Sequence, residues 1–268
     1  MTEQAIAWAR AAGIQMVNVD LIYGLPHQTP ESFAETLEDI VSLQPDRLAV
    51  FSYAHVPWIK PSQKILETEN LPSPEMKLQL LKLTIERLTR NDEFVYIGMD
   101  HFARPNDELT IAQQNKTLRR NFQGYSVRGN TDIYSFGISS ISQAADAYWQ
   151  NFKDIEQYTD ALSRWEAPIE RGYALSADDV VRRAVIQRLM CDLELDYVAA
   201  SAQTGVNVPE YFTTELASLG DLEADGLIER NARGLKITSA GRLFIRNVAM
   251  RFDAYLPRQA ERRFSQTV

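Results

Sequence analysis

The sequence predicts an α/β protein whose final third is mainly helical. Over the first hundred residues, short apolar runs alternate with capped amphipathic helices, an order typical of parallel βαβ units. From about Asn106 this alternation stops, and from "LSADDVVRRAVIQRLM" onward the chain favours helices. One short pair of strands at "GLIERNARGLKITSAG" interrupts them, so the last part is predicted to be winged-helix-like.

The first strand, "VNVDLIYGLP", contains a carboxylate, Asp20, within an apolar run. Its composition predicts burial on both faces, where an unpartnered charge costs several kcal/mol. Two interpretations stay open. Asp20 either accepts hydrogen bonds from the hydroxyls of a ligand at the strand end, or it is a buried acid bonded to neighbouring backbone or to an arginine.

Two helices and two further strands follow, each with recognisable boundaries. Thr29 and Ser73 are predicted N-caps, each followed by a proline suited to the first turn. The strands are predicted at "RLAVFSYAHVP" and, as one continuous element, at "FVYIGMDHFA". The apolar stripes of the helices are predicted to be Phe33, Leu37, Ile40 and Val41 in the first and Leu78, Leu81, Ile85 and Leu88 in the second.

Three histidines, His27, His55 and His101, each lie just beyond a strand or at its end. Because the carboxyl ends of parallel strands gather at one edge of a sheet, these side chains could surround one opening and bind zinc or iron. No HExxH spacing and no paired carboxylates accompany them. Hydrogen-bonding or packing roles are therefore favoured over a metal site.

Two basic regions stand out in a chain whose net charge is −8. The basic tail from Glu229 to Val268 suggests nucleic-acid binding by the winged-helix part as one hypothesis. Packing against a neighbouring element is the favoured alternative. The segment from Arg104 to Arg128, interleaved with aromatic residues, suits an aromatic polycarboxylate. The alternative is a solvated surface loop. The basic residues of that segment are Arg104, Lys116, Arg119, Arg120 and Arg128.

Composition excludes several other classes. The pI of about 5.1 argues against a general nucleic-acid-binding protein. One cysteine, Cys191, allows no disulfide and no cysteine metal site, and its sequence context predicts a small buried apolar residue. With no apolar run near membrane-span length and no secretory signal, a cytoplasmic protein is expected. No phosphate-binding or nucleophile-elbow motif occurs.

Four motifs together resemble the oxygen-independent coproporphyrinogen III oxidases, radical S-adenosylmethionine enzymes of haem biosynthesis. They are "VNVDLIYGLPHQTPESF", "RLAVFSYAHVP", "GMDHFARPNDEL" and "LRRNFQGYSVRGNTDI". The resemblance implies the C-terminal portion of a partial (βα)6 radical-SAM barrel, followed by a mainly helical, winged-helix-like C-terminal domain. The expected division is a partial barrel at 1–105, a connecting segment with substrate and cosubstrate contacts at 106–175, and the helical domain at 176–268.

The same resemblance implies an activity and a set of site residues. In the family, S-adenosylmethionine and a 4Fe–4S cluster support oxidative decarboxylation of two propionates of coproporphyrinogen III, giving protoporphyrinogen IX, with an electron donor and acceptor of unknown identity. By motif position, Asp20, Ala54 and Ile141 match S-adenosylmethionine contacts, with Asp20 accepting from nucleoside hydroxyls. Phe122 and Gln123, within "NFQGY", match a signature associated with activity.

The chain departs from the family pattern in its cluster ligands. The family binds its cluster through CxxxCxxC in the N-terminal half, and this sequence contains no such motif. It is therefore expected to be a fragment that lacks the first four βα units and is inactive without the missing half of the barrel. The alternatives are a non-catalytic haem- or porphyrin-binding remnant and a winged-helix nucleic-acid-binding module.

Overall fold

A computed structural model describes residues 1–68, 71–129 and 131–256. The described residues form two compact units. Unit 1 comprises 1–117, 239–246 and 254–256, and unit 2 comprises 118–238 and 247–253. The division predicted near residues 105 and 175 stays a prediction. No helix in the described part of the chain is long and apolar enough to cross a membrane.

Unit 1 is built around a four-stranded sheet, and two of its helices pack against one face of it. Short 3-10 helices lie at Pro61–Thr68, Arg90–Asp92 and Gly241–Phe244. The strands are β1 (Asn18–Tyr23), β2 (Arg47–Ser52), β3 (Val95–Gly98) and β4 (His101–Ala103), and the helices are α1 (Thr2–Ala11), α2 (Pro30–Ser42), α3 (Pro74–Leu88) and α4 (Glu108–Gln114).

The sheet is only partly parallel, and the third predicted strand is not one continuous element. Strands run in the order β1-β2-β4-β3, with β1 and β2 parallel and the other two pairs antiparallel. The predicted strand at "FVYIGMDHFA" is a hairpin, because the chain reverses after Gly98 and Met99, whose φ angles are +145° and +54°. β4, not β3, therefore pairs with β2.

Strand β1 is not buried on both faces, contrary to the prediction. It is an edge strand of the described sheet, and its residues alternate between exposed and partly buried, with Asp20 exposed. α2 and α3 cover only one face, where Tyr23, Leu48 and Val50 join the core. An apolar run can therefore alternate in burial, because the burial of a strand depends on what covers each face.

The predicted helix caps are confirmed, and one predicted core position is wrong. Thr29 and Ser73 accept hydrogen bonds from the backbone N–H groups of Ser32 and Met76, at 3.2 Å in both cases. Leu78 is 37% exposed, whereas Leu80 on the same helix is completely buried. The helix is rotated so that Leu80, Leu81, Thr84 and Leu88 face the core.

Unit 2 contains three small antiparallel sheets and a long central helix, and its C-terminal elements form the helices and β-wing predicted from the sequence. The strands are β5 (Arg119–Asn121), β6 (Gly124–Ser126), β7 (Ile141–Gln143), β8 (Ala147–Asn151), β9 (Ile169–Ala174), β10 (Glu194–Asp196), β11 (Ile228–Asn231) and β12 (Gly234–Ile237). The helices are α5 (Ile155–Ser163), α6 (Ala177–Asp192), α7 (Tyr197–Thr204), α8 (Val208–Tyr211), α9 (Thr213–Ala217) and α10 (Gly220–Ala224), and α11 (Ile245–Met250) follows.

Cys191 lies near the end of α6 and is 1% exposed, which confirms the prediction of a small buried residue. Burial, together with the neighbouring Asp192 carboxylate, raises the pKa of its thiol to about 12. The thiol is therefore protonated at neutral pH. A protonated, buried thiol is a poor nucleophile and a poor metal ligand.

We expect Leu80→Ala to lower the free energy of unfolding by about 2–5 kcal/mol, because it leaves a cavity in the core of unit 1. Leu78→Ala is the matched control, since it deletes the same atoms from an exposed position of the same helix, and its effect should stay within about 1 kcal/mol. Urea denaturation followed by circular dichroism measures both. Equal losses in the two variants would contradict the position of α3.

Cys191 should resist thiol reagents at pH 8 in the folded chain, because with a pKa of about 12 only about one thiol in ten thousand is ionised at that pH. Labelling with a chromogenic disulfide should release one equivalent only after denaturant is added. Ser163→Cys, at an exposed helix end, serves as the positive control and should label rapidly. Rapid labelling of the unmodified folded chain would show that α6 opens locally or that the thiol is accessible.

Candidate functional site

The face of the unit 1 sheet opposite α2 and α3 brings Asp20 together with residues of two other strands. Asp20 lies opposite Ala49 on β2, and Ala49 lies opposite His101 on β4. Directly paired residues project to the same face, so Asp20 and His101 share the face opposite the helices. Phe51 lies on it too, with its ring 6.3 Å from the His101 ring in an edge-to-face arrangement. This face combines a carboxylate, an imidazole and an aromatic ring.

Asp20 is exposed on that face, so its charge carries little desolvation cost. Its Oδ1 accepts a hydrogen bond of 2.7 Å from the Asn18 side-chain amide, two residues earlier on the same strand. A carboxylate offers about four acceptor positions, so this bond leaves others for a ligand. Of the two interpretations left open by the sequence, the structure favours the exposed acceptor over the buried acid.

Ala54 lies in the loop after β2, and the side chain of Gln63 holds that loop in place. Gln63 donates to the Ala54 carbonyl at 3.0 Å and accepts from the Val56 N–H at 2.7 Å. Lys77 donates from α3 to the Tyr53 carbonyl at 3.0 Å, and burial lowers the pKa of its ammonium. The sequence did not identify these positioning residues, because both act through contacts between segments far apart in the chain.

The loop after β1 is held by a second glutamine. Gln28 Oε1 accepts from the Gly24 N–H at 2.6 Å. Gly24 has a φ of +83°, and a Cβ there would lie 3.1 Å from the Lys77 side chain, so only glycine fits without adjustment. The same lysine side chain therefore packs beside both loops at the ends of β1 and β2.

The three histidines do not assemble a metal site. Within residues 1–68, 71–129 and 131–256, no group of three or more His, Cys, Asp or Glu side chains is suited to a metal ion. A 4Fe–4S cluster bound by three thiolates does not fit this chain either, since its one cysteine is buried and protonated.

In unit 2, Phe122 and Gln123 form the tip of the β5–β6 hairpin. The flanking residues Asn121 and Gly124 pair across the hairpin, and the Gln123 N–H donates to the Asn121 side chain at 2.8 Å. Both tip side chains are exposed, Phe122 by 42%. An exposed aromatic ring beside an amide at a rigid turn can contact a ligand without local unfolding of the hairpin.

The hairpin is fixed to α6 by hydrogen bonds at its base. The Gln187 side chain accepts from the Arg120 N–H at 3.1 Å and donates to the Arg120 carbonyl, so it bonds both backbone groups of one residue. The Tyr125 hydroxyl donates to the Met190 carbonyl at 3.0 Å. These bonds position the β5–β6 tip relative to α6.

A cavity of about 620 Å³ opens beside this hairpin, within the range of small-molecule sites. Gln123 lines it, whereas Phe122 and Ile141 do not. Ile141 lies at the start of β7, half-buried and paired with Gln150. The charged residues of the lining are Arg119, Arg120, Arg128, Asp132, Arg183 and Arg188.

The basic segment predicted from the sequence is divided by the structure. Arg119, Arg120 and Arg128 line the cavity, while Arg104 and Lys116 belong to unit 1. Arg104 is structural: it donates to the carbonyls of Pro45 and Glu93 at 3.1 and 3.2 Å, with its guanidinium 4.2 Å from the Phe94 ring centre. Arg183 and Arg188, the two cavity arginines on α6, could not be predicted from the sequence. The i, i+4 spacing of Arg183 with Gln187 indicates one face of a helix, but it does not indicate which element packs against that face.

Three of the six basic residues in the described part of the tail form ion pairs. Arg230 pairs with Glu223 at 2.5 Å and Arg251 with Asp221 at 2.6 Å. Arg246 lies 3.5 Å from Asp100, and Arg242 donates to the Tyr96 carbonyl. These contacts support packing over nucleic-acid binding. Of the other basic residues of the tail, Arg233 and Lys236 are exposed, and Arg258, Arg262 and Arg263 lie outside the described residues.

Comparison with known proteins confirms the resemblance. A family model described as the HemN C-terminal domain matches residues 175–244. The chain is 46% identical over its full length to the oxygen-independent coproporphyrinogen III oxidase of Synechocystis, of which it covers 58%. It is 44% identical to the protein of that name from Thermostichus vulcanus, aligned over 99% of the chain and 82% of that relative.

A solved structure agrees with these relatives. It is coproporphyrinogen III oxidase (HemN) from Escherichia coli, described as a radical SAM enzyme, with a TM-score of 0.91 and 45% identity over 95% of this chain and 58% of that one. The α/β fold class predicted from the sequence is thereby confirmed. The chain spans a little under three fifths of the length of several of these relatives. With one relative matched over most of its own length, the chain belongs to the oxygen-independent coproporphyrinogen III oxidase family.

Proposed function

We propose that this chain supplies the C-terminal part of an enzyme that converts coproporphyrinogen III to protoporphyrinogen IX by oxidative decarboxylation. The observation that carries the proposal is the TM-score of 0.91 at 45% identity to the Escherichia coli enzyme over 95% of the chain. Agreement of fold and sequence at this level supports a shared reaction more strongly than fold alone. The localisation to the cytoplasm stays a prediction.

The face of the unit 1 sheet opposite α2 and α3 has the acceptor that S-adenosylmethionine would need. The Asp20 carboxylate can accept from ribose hydroxyls, and the loop of Ala54, held by Gln63, can offer backbone contacts. In unit 2, Ile141 is proposed as an apolar contact, and Phe122 and Gln123 as groups that touch substrate or cosubstrate. Both tip side chains are exposed, which supports that role.

The cluster ligands must come from outside this chain, which has one cysteine. The N-terminal half of the barrel is the proposed partner, together with an electron donor and an electron acceptor. The isolated chain is therefore proposed to be inactive. A second candidate, porphyrin binding without catalysis, is favoured by one observation: the arginine-lined cavity lies entirely within unit 2.

Joining the chain to the N-terminal part of the Synechocystis relative should produce an active enzyme. We expect protoporphyrin formation from coproporphyrinogen III under anaerobic, reducing conditions, measured by chromatography with fluorescence detection, and none from the chain alone. Replacing the cluster-binding cysteines of the chimera by alanine is the matched control and should abolish product. A folded, cluster-loaded chimera without product would contradict the proposed reaction, as would turnover by the isolated chain.

In that chimera, Asp20→Asn should weaken S-adenosylmethionine binding by about tenfold, because a hydrogen bond to a charged acceptor contributes about 1.5 kcal/mol or more. Asp39→Asn, an exposed acid on α2, is the control and should change binding less than twofold. Equilibrium dialysis with labelled S-adenosylmethionine measures both. If Asp20→Asn binds as tightly as the parent, Asp20 is not a cosubstrate contact.

A further inference from the structure

The cavity in unit 2 concentrates positive charge in an acidic protein. Its lining contains five arginines and one carboxylate, Asp132, although the whole chain carries a net charge of −8. Like charges brought together repel one another, so such a cluster costs stability unless anions neutralise it. A group of arginines around a cavity of small-molecule size therefore indicates an anionic ligand.

Four of these arginines lack a carboxylate partner among the described residues. Arg188 forms a 2.8 Å ion pair with Asp192. No salt bridge within the described part of the chain involves Arg119, Arg120, Arg128 or Arg183. None of these four guanidinium groups is thus held in a direct ion pair by the described part of the protein.

Neutral groups orient the cavity arginines without cancelling their charge. Arg119 donates to the Leu118 carbonyl at 3.0 Å, and Arg183 donates to the Ala145 carbonyl at 2.5 Å and to the Tyr148 hydroxyl at 3.2 Å. The Nε of Arg120 is buried and has no hydrogen-bond partner among the described residues. A buried charged donor without an acceptor is costly and rare.

The other lining residues indicate the chemistry of the uncharged part of the ligand. Apolar side chains face the same cavity, which suits a molecule with an apolar body and several anionic arms. Guanidinium groups bind carboxylates in a bidentate manner, each with two parallel hydrogen bonds. The apolar residues of the lining are Ile133, Ala144, Ala145, Val180, Val181 and Ala184.

We propose that this cavity binds a tetrapyrrole polycarboxylate, with Arg119, Arg120 and Arg128 holding its propionate groups. The inference rests on the proposed function for the identity of the ligand, and it adds which residues bind the substrate. The hairpin and α6 are already fixed to each other by Gln187, so the backbone that carries Arg119 and Arg120 is positioned before the ligand arrives. Preorganisation of this kind reduces the entropy cost of binding.

Binding can be measured on the full 268-residue chain with coproporphyrin III, the stable fluorescent tetracarboxylate, as the probe. We expect saturable one-to-one binding that weakens as salt is raised. Arg128→Gln and Arg119→Gln should each weaken it about tenfold or more, since each removes charge-assisted hydrogen bonds. Arg128→Lys should lose less, because it keeps the charge but not the bidentate geometry.

The matched control is Arg233→Gln, which removes one positive charge from an exposed turn of the same unit. It should change the dissociation constant less than twofold. Etioporphyrin, with the same ring but no carboxylates, should bind weakly and without salt dependence. Thermal unfolding of every variant checks folding, and Arg128 is the most informative position because its side chain is exposed and has no hydrogen bond with a described residue.

Three outcomes would overturn the inference: equal binding by Arg128→Gln and the parent chain, an equal loss in Arg233→Gln, or displacement of the porphyrin by duplex DNA. Failure of the proposed reaction is distinguishable from these outcomes. A chimera that forms no protoporphyrin, while Arg128→Gln still weakens coproporphyrin binding, would reject the reaction and keep the binding site. An active chimera with unaltered coproporphyrin binding in Arg128→Gln would keep the reaction and reject the binding site.

Discussion

The packing of α2 and α3 against one face of the unit 1 sheet is the constraint on which that unit depends. α2 and α3 bury Leu48, Val50 and Tyr23, so residues at alternate positions of the same strands lie on the other face. That geometry lets an apolar strand carry Asp20 without burying its charge. It also leaves Phe51 and Ile22 exposed beside the carboxylate, an arrangement suited to a ligand with apolar and hydroxyl-bearing parts.

In unit 2 the corresponding constraint is the attachment of a short hairpin to a long helix. A two-stranded hairpin of three residues a side is marginal alone. Gln187 and Tyr125 supply the missing stability by bonding it to α6. The consequence is chemical as well as mechanical, because the arginines of the hairpin and of α6 then line one cavity. One amide side chain thus both satisfies the backbone and assembles the candidate binding site.

The chain contains some of the groups that the chemistry of its family requires and lacks others. A carboxylate acceptor in unit 1 and a group of arginines in unit 2 are present, each within one unit. Thiolate ligands are not, since the one cysteine is buried, with a pKa of about 12. The proposed ligand binding and the cluster chemistry can consequently be tested separately, and the first can be tested in this chain without the second.

Helix boundaries, the family and the chemical types of the site residues could be predicted from the sequence, because caps, prolines and contiguous motifs are local. Thr29 and Ser73 needed no tertiary information. The exposure of Asp20, the reversal after Gly98, and the separation of Arg104 from Arg119 could not be predicted. Each depends on which elements cover a surface, and the same apolar run is buried or half-exposed according to its neighbours. Burial and charge compensation are properties of the packed structure, so the tertiary structure alone decided them.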